Sequence, residues 1–114
     1  MPCIQAKVDV KISEEKEKAV KTRFGKAIGL LPGKSESWLM LSLEDGCDLY
    51  FKGEKKTGTA FVEVHLFGGA DDASYEKLTA EITKILHEEL NVDPARCYVK
   101  YAETEHWGWN GRNL

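Results

Sequence analysis

The chain has 114 residues, 42% of them hydrophobic and 31% charged, with a formal net charge of −3. That length fits a single domain, residues 1–114, of ordinary globular composition. Lys and Arg are scattered among Asp and Glu, so the concentrated basic footprint that nucleic acid requires is missing, and no apolar run approaches a membrane span. Cys3, Cys47 and Cys97 are odd in number and far apart, which argues against a disulfide framework. No Cys/His spacing suits zinc, so no metal is expected. The N-terminus carries no basic region, apolar core and cleavage site of the signal-peptide kind, and the cytoplasm is the expected compartment.

Cys3 to Lys11 alternates cleanly, with Ile4, Ala6, Val8 and Val10 on one face and Gln5, Lys7, Asp9 and Lys11 on the other. This pattern predicts a half-buried strand. Ser13 is placed to cap a helix, and Glu14 and Glu15 suit the positive end of its dipole. Ala19, Val20, Phe24, Ala27, Ile28 and Leu31 continue at helical spacing until Pro32-Gly33 stops them. A second strand is expected over Trp38 to Leu43, followed by a turn at Glu44-Asp45-Gly46. Asp48 to Phe51 reads as a short strand. Lys52 to Gly58, with Lys52, Lys55 and Lys56 around Glu54, reads as a solvated loop.

Thr59 to Phe67 carries the strongest alternation in the chain, and Gly68-Gly69 breaks it. Asp72 or Ser74 is expected to cap the next helix, whose apolar stripe is Tyr75, Leu78, Ile82, Ile85, Leu86 and Leu90. Asn91 and Asp93-Pro94 end it, and Cys97 to Ala102 supplies the last main strand. The order is strand–helix–strand twice, an architectural repeat without identity between the halves. Each helix crosses over between parallel strands. The expected fold is α+β: two βαβ units forming a four-stranded mixed sheet with both helices on one face. The opposite face carries Gln5, Lys7, Glu63, His65 and Phe67, a mixture that suggests contact with other subunits.

Pro2 directly follows Met1. If Met1 is removed, the chain begins with a secondary amine held in a ring. Desolvation or a nearby cation lowers the pKa of such an amine into the range of a general base. Met-Pro also begins many proteins without any catalytic role. Further along, Trp107-Gly108-Trp109-Asn110-Gly111 places two tryptophans near the chain end, where residues are usually disordered unless tied down.

With Met1-Pro2, Gly33-Lys34 after the first helix and the Pro94…Arg96…Tyr98 segment, this tail resembles the macrophage migration inhibitory factor family of the tautomerase superfamily. The similarity extends over the whole chain. It implies a homotrimer with an active site at each subunit boundary, and a cofactor-independent enzyme of the phenylpyruvate tautomerase type acting on small aromatic α-keto or enol acids. By position, Pro2 corresponds to the catalytic base and Lys34 to the lysine that receives the acid group. Phe67 falls at a pocket-lining position. Tyr98, Trp107, Trp109 and Leu114 match positions that the resemblance assigns to a neighbouring subunit. Lys100 stands where the best-known members carry a substrate-binding asparagine, adding a second cation. Thr59 and Val62 occupy the places of a CxxC found in some members, so thiol chemistry does not carry over. Ser35 and Leu114 are milder departures.

The chemistry needs a base to take a proton α to a carbonyl and groups to orient and stabilise the enolate. Pro2 supplies the first, while Lys34 pairs with the carboxylate. Tyr98 can donate its hydroxyl, and Phe67, Trp107 and Trp109 can pack against an aromatic ring. Each side chain also has a plainer role. Lys34 suits the C-terminal dipole of the first helix, Tyr98 can simply pack, and the two tryptophans can anchor the tail. His65 reads as structural, Cys3 and Cys97 as small apolar residues, and His87 and His106 receive no role. Two other functions remain open: a cytokine-like protein binding a receptor, exported without a signal peptide, and a monomeric ferredoxin-like binding domain.

Overall fold

A computed structural model describes residues 1–114. The first strand, β1, spans Pro2–Val8 and is followed by helix α1, Glu14–Ala27. Strand β2 covers Met40–Glu44, β3 covers Ala60–Phe67, helix α2 covers Asp72–Leu90 and β4 covers Cys97–Thr104. The sheet order is β2-β1-β3-β4. Strands β1 and β2 run parallel, as do β3 and β4, and β1 and β3 join the two βαβ units antiparallel. The α+β architecture expected from the alternation is therefore present. No helix is long and apolar enough to cross a membrane.

Both helices cover one face. Ile4, Ala6 and Val8 of β1 and Ala60, Val62, Val64 and Leu66 of β3 are buried against Val20, Phe24, Ala27 and Ile28 from the first helical segment. Leu78, Ile82, Ile85, Leu86 and Leu90 of α2 complete the layer. The other face leaves Met40 70% and Tyr98 62% exposed, both large apolar side chains without a covering layer.

Several boundaries differ from the sequence-based expectation, each for a local reason. Strand β1 ends at Val8 rather than Lys11 because Asp9 turns its carboxylate onto the amides of Gly58 and Thr59, at 3.1 and 3.0 Å. Ser13 caps α1 as expected, accepting from the Lys16 amide at 3.2 Å. The α-helix gives way at Ala27 to a 3₁₀ turn, Ile28–Leu30, before Pro32. Trp38 lies in a 3₁₀ turn, Glu36–Trp38, and pairing with β1 starts only at Met40 opposite Cys3.

Asp48 to Phe51 is not a strand: Phe51 pairs only with Glu54, across a tight turn in which Lys52 and Gly53 take positive φ. The cap of α2 is Asp71, not Asp72 or Ser74, and its carboxylate accepts from the Ser74 hydroxyl at 2.5 Å. Strand β4 runs on to Thr104 because β3 offers partners as far as Phe67. The tail forms a small hairpin of β5, Gly108–Trp109, and β6, Arg112–Asn113, turning through Asn110 and Gly111 at φ 54° and 82°.

Candidate active site

An open cleft of about 850 Å³ lies where the start of β1 meets the turn before β2 and the C-terminal tail. Met1, Pro2, Cys3 and Gln5 come from the first segment, Ser37 to Met40 from the second, His65 from β3, and Trp107 to Trp109 from the tail. Trp38 and Trp109 meet edge to face, with ring centroids 5.1 Å apart, and build an aromatic wall. The tail is held in place by the Leu114 amide, which donates to the Trp107 carbonyl at 3.0 Å.

Pro2 is buried, and β-pairing sets it opposite Leu66. Its nitrogen is here a peptide nitrogen, and the free amine belongs to Met1. Burial holds that amine below its ordinary value of 8.0, and the charge of Lys34 and a hydrogen bond with it lower it further. The Met1 carbonyl accepts from the Phe67 amide at 3.1 Å, while the Lys34 ammonium donates to the Phe67 carbonyl at 3.0 Å. The Met1 carbonyl carbon is bonded to the Pro2 nitrogen, so that nitrogen lies within one peptide unit of the Phe67 backbone that tethers Lys34. The fold therefore brings the N-terminus and Lys34 to one place.

This combination of an N-terminal amine, a tethered lysine and tryptophans on two βαβ units is matched at family level: the model described as Macrophage migration inhibitory factor (MIF) matches residues 1–114. The chain belongs to the MIF family. Among solved structures, MIF2 of Leishmania major is similar with a TM-score of 0.92 and 28% identity, over 100% of this chain and 97% of that one. A MIF-like protein of Entamoeba histolytica gives 0.87 and 18%, over 99% and 98% of the two chains. A fused 4-OT solved as an asymmetric trimer gives 0.85 and 15%, over 97% and 94%, a likeness of fold. No curated protein sequence matches.

Within this MIF-family chain, Pro2, Trp107 and Trp109 line the cleft, and Lys34 stands beside the N-terminal amine. Both tryptophans reach the cleft of their own chain, whereas the resemblance placed them at a neighbour's. Phe67 contributes its backbone, which ties Met1 and Lys34 together, and its ring is not among the walls. Leu114 stays half exposed in the tail, outside the cleft lining.

Tyr98 and Lys100 are not brought to this cleft. Tyr98 pairs with Phe61 and Lys100 with Glu63, whereas Pro2 pairs with Leu66. Those offsets are roughly 17 and 10 Å along β3 at the usual strand rise. The Tyr98 ring packs edge to face on Phe51 at 5.3 Å, beside a separate cavity of about 270 Å³.

Sequence reasoning assigned Trp38 to a strand and missed its place in the wall. A tryptophan standing just ahead of the Leu39, Leu41, Leu43 alternation, in a stretch rich in Ser and Glu, was the available signal. His65 was read as structural, yet it lines the cleft. Its Nε2 is buried without a hydrogen-bond partner, and the nearest carboxylate oxygen, on Glu63, is 4.0 Å away. His87 is exposed at the end of α2, with Nδ1 2.9 Å from the Val92 carbonyl. Burial pushes the Cys3 and Cys97 thiols up, away from the reactive thiolate.

Proposed function

We propose that the protein, once Met1 is removed, is a cofactor-independent keto–enol tautomerase of small aromatic α-keto acids, of the phenylpyruvate type. The observation that carries this reading is the N-terminal amine held beside Lys34, its pKa lowered by burial, in a residue that lines a tryptophan-walled cleft. Removal of Met1 moves the free amine one residue along, onto the buried Pro2 ring. The neutral amine takes a proton from the carbon α to the carbonyl and returns it to the opposite end of the enolate, acting as base and then acid.

Lys34 has three N–H donors and gives one to the Phe67 carbonyl, so two remain for the substrate carboxylate. Its charge also favours the neutral amine. Trp38 and Trp109 receive the aromatic ring. A part for Tyr98 and Lys100 requires that they reach the cleft of another copy, and a homotrimer assembled on the uncovered sheet face supplies this.

The test compares three proteins of verified mass: the chain lacking Met1, a Pro2→Gly variant, and a chain in which Met1 is retained. The processed chain is expected to interconvert enol- and keto-phenylpyruvate, with activity lost in the Met1-retaining protein and sharply reduced in Pro2→Gly. Full activity in both altered proteins would refute the proline mechanism.

A further inference from the structure

The carbonyl that tethers Lys34 is that of Phe67, the last residue of β3, and the turn that follows it opens with Gly68-Gly69, the pairing with the most backbone freedom to lose. Gly68 adopts φ 79°. Two anchors hold this stretch. The Gly68 amide donates to the Thr104 carbonyl at 2.9 Å, and the Ala70 amide donates to the Tyr75 hydroxyl at 3.1 Å. That hydroxyl in turn donates to the Glu103 carboxylate. A Cβ at position 69 would run into the same carboxylate, so glycine there lets Glu103 lie close over the turn.

The Tyr75 ring is itself held, packed against Tyr101 at a tilt of 38° with centroids 4.3 Å apart, and the Tyr101 hydroxyl donates to the Tyr75 carbonyl at 3.1 Å. Burial, with the Glu103 contact second, pushes the Tyr75 hydroxyl up to about 12, so it keeps its proton and remains a donor at physiological pH.

We propose that Tyr75 and Glu103 are positioning residues for Lys34: they pin the turn after β3 so that the Phe67 carbonyl holds the ammonium where it meets the substrate carboxylate. This rests on the tautomerase reading above. Neither residue touches the cleft, so their effect falls on substrate binding rather than on proton transfer. The alternative is that Tyr75 merely packs α2 onto β4, a role its ring alone would fill.

Tyr75→Phe keeps the ring and deletes both hydrogen bonds. It is expected to raise KM for phenylpyruvate several-fold with kcat within about twofold, and to shift the side-chain NMR signal of Lys34 in lysine-labelled protein. Glu103→Ala should reproduce both changes, and Glu103→Gln, which keeps an acceptor, should restore wild-type KM. If Tyr75→Phe fails to fold, Glu103, exposed at the end of β4, carries the test alone. An unchanged KM and an unchanged Lys34 signal in the foldable variants would overturn the proposal, as would a fall in kcat at constant KM. If the wild-type protein does not act on phenylpyruvate, the tautomerase reading fails separately and the Lys34 signal still decides whether the pin exists.

Discussion

Replacing Lys34 by glutamine separates the two roles that the site gives this side chain. The ammonium is part-buried and already directed by the Phe67 carbonyl at 3.0 Å. An exposed ion pair is worth about 0–1 kcal/mol, whereas a hydrogen bond to a charged group that is shielded from water contributes about 1.5–3 kcal/mol. An open cleft walled on one side lies between these limits. The expected loss in kcat/KM for phenylpyruvate is therefore about 1–1.5 kcal/mol, roughly five- to twelvefold at about 1.4 kcal/mol per factor of ten, carried mainly by KM.

The second role appears in the pH profile. For the Met1 amine burial is the larger cause of the lowered pKa and Lys34 the next, and on the proposed reading the same surroundings act on the Pro2 amine once Met1 is gone. A base works when neutral, so activity rises as pH climbs through the pKa of the amine. Removing the Lys34 charge moves that limb to higher pH without restoring the full ordinary value, because burial persists. The assay is the pH dependence of kcat/KM for wild-type and Lys34→Gln proteins lacking Met1. A variant that keeps its KM and an unmoved limb would refute both roles at once.

Two further outcomes test the cleft and the core. Trp38→Ala removes one half of the edge-to-face pair at 5.1 Å and should weaken binding of an aromatic keto acid roughly two- to tenfold, the span of an aromatic pair's contribution, while an aliphatic keto acid is affected less. Steady-state KM values for the two substrates make the comparison. Phe24→Ala empties a fully buried site between α1 and the sheet and should cost about 3–5 kcal/mol, a large share of a small domain's stability. Urea unfolding should show this as a lower midpoint at constant slope.

Much of the fold is legible because its layers obey simple periods. Even positions of β1 and β3 face the helices and are buried, and the stripe of α2 recurs at three- and four-residue spacing. What escaped was set by contacts that periodicity does not encode. The end of β1 depends on Asp9 capturing the amides of Gly58 and Thr59, residues 49 and 50 positions away. The short strand expected near Phe51 is replaced by a turn that Arg96 secures from another part of the chain, donating to the Glu54 carbonyl at 3.0 Å and to the Thr59 hydroxyl at 2.7 Å. The tail hairpin had a readable signal in Asn110-Gly111, a pair suited to a turn with two positive φ angles. It is only two residues long on each side, too short for alternation to mark it.

The candidate site divides along the same line. Pro2 and Lys34 meet within one chain because β-pairing puts the N-terminus opposite the end of β3, where the Phe67 backbone binds both Met1 and the lysine. Tyr98 and Lys100, on β4, lie on the uncovered sheet face, whereas Pro2 pairs with core Leu66, and they sit opposite Phe61 and Glu63, several residues back along β3. No rotamer of a tyrosine or lysine spans that separation while its own strand remains paired. Lys100 makes no ion pair within the chain, Tyr98 on β4 is 62% exposed, and Met40 on the opposite edge strand β2 is 70% exposed on the same uncovered face. An amphipathic sheet face of this kind gains by being covered. On the proposed reading, covering it with another copy is also what completes the chemistry. Assembly and catalysis then depend on one surface, so a substitution that separates the subunits should remove the contribution of Tyr98 and Lys100 while leaving the Pro2–Lys34 pair intact.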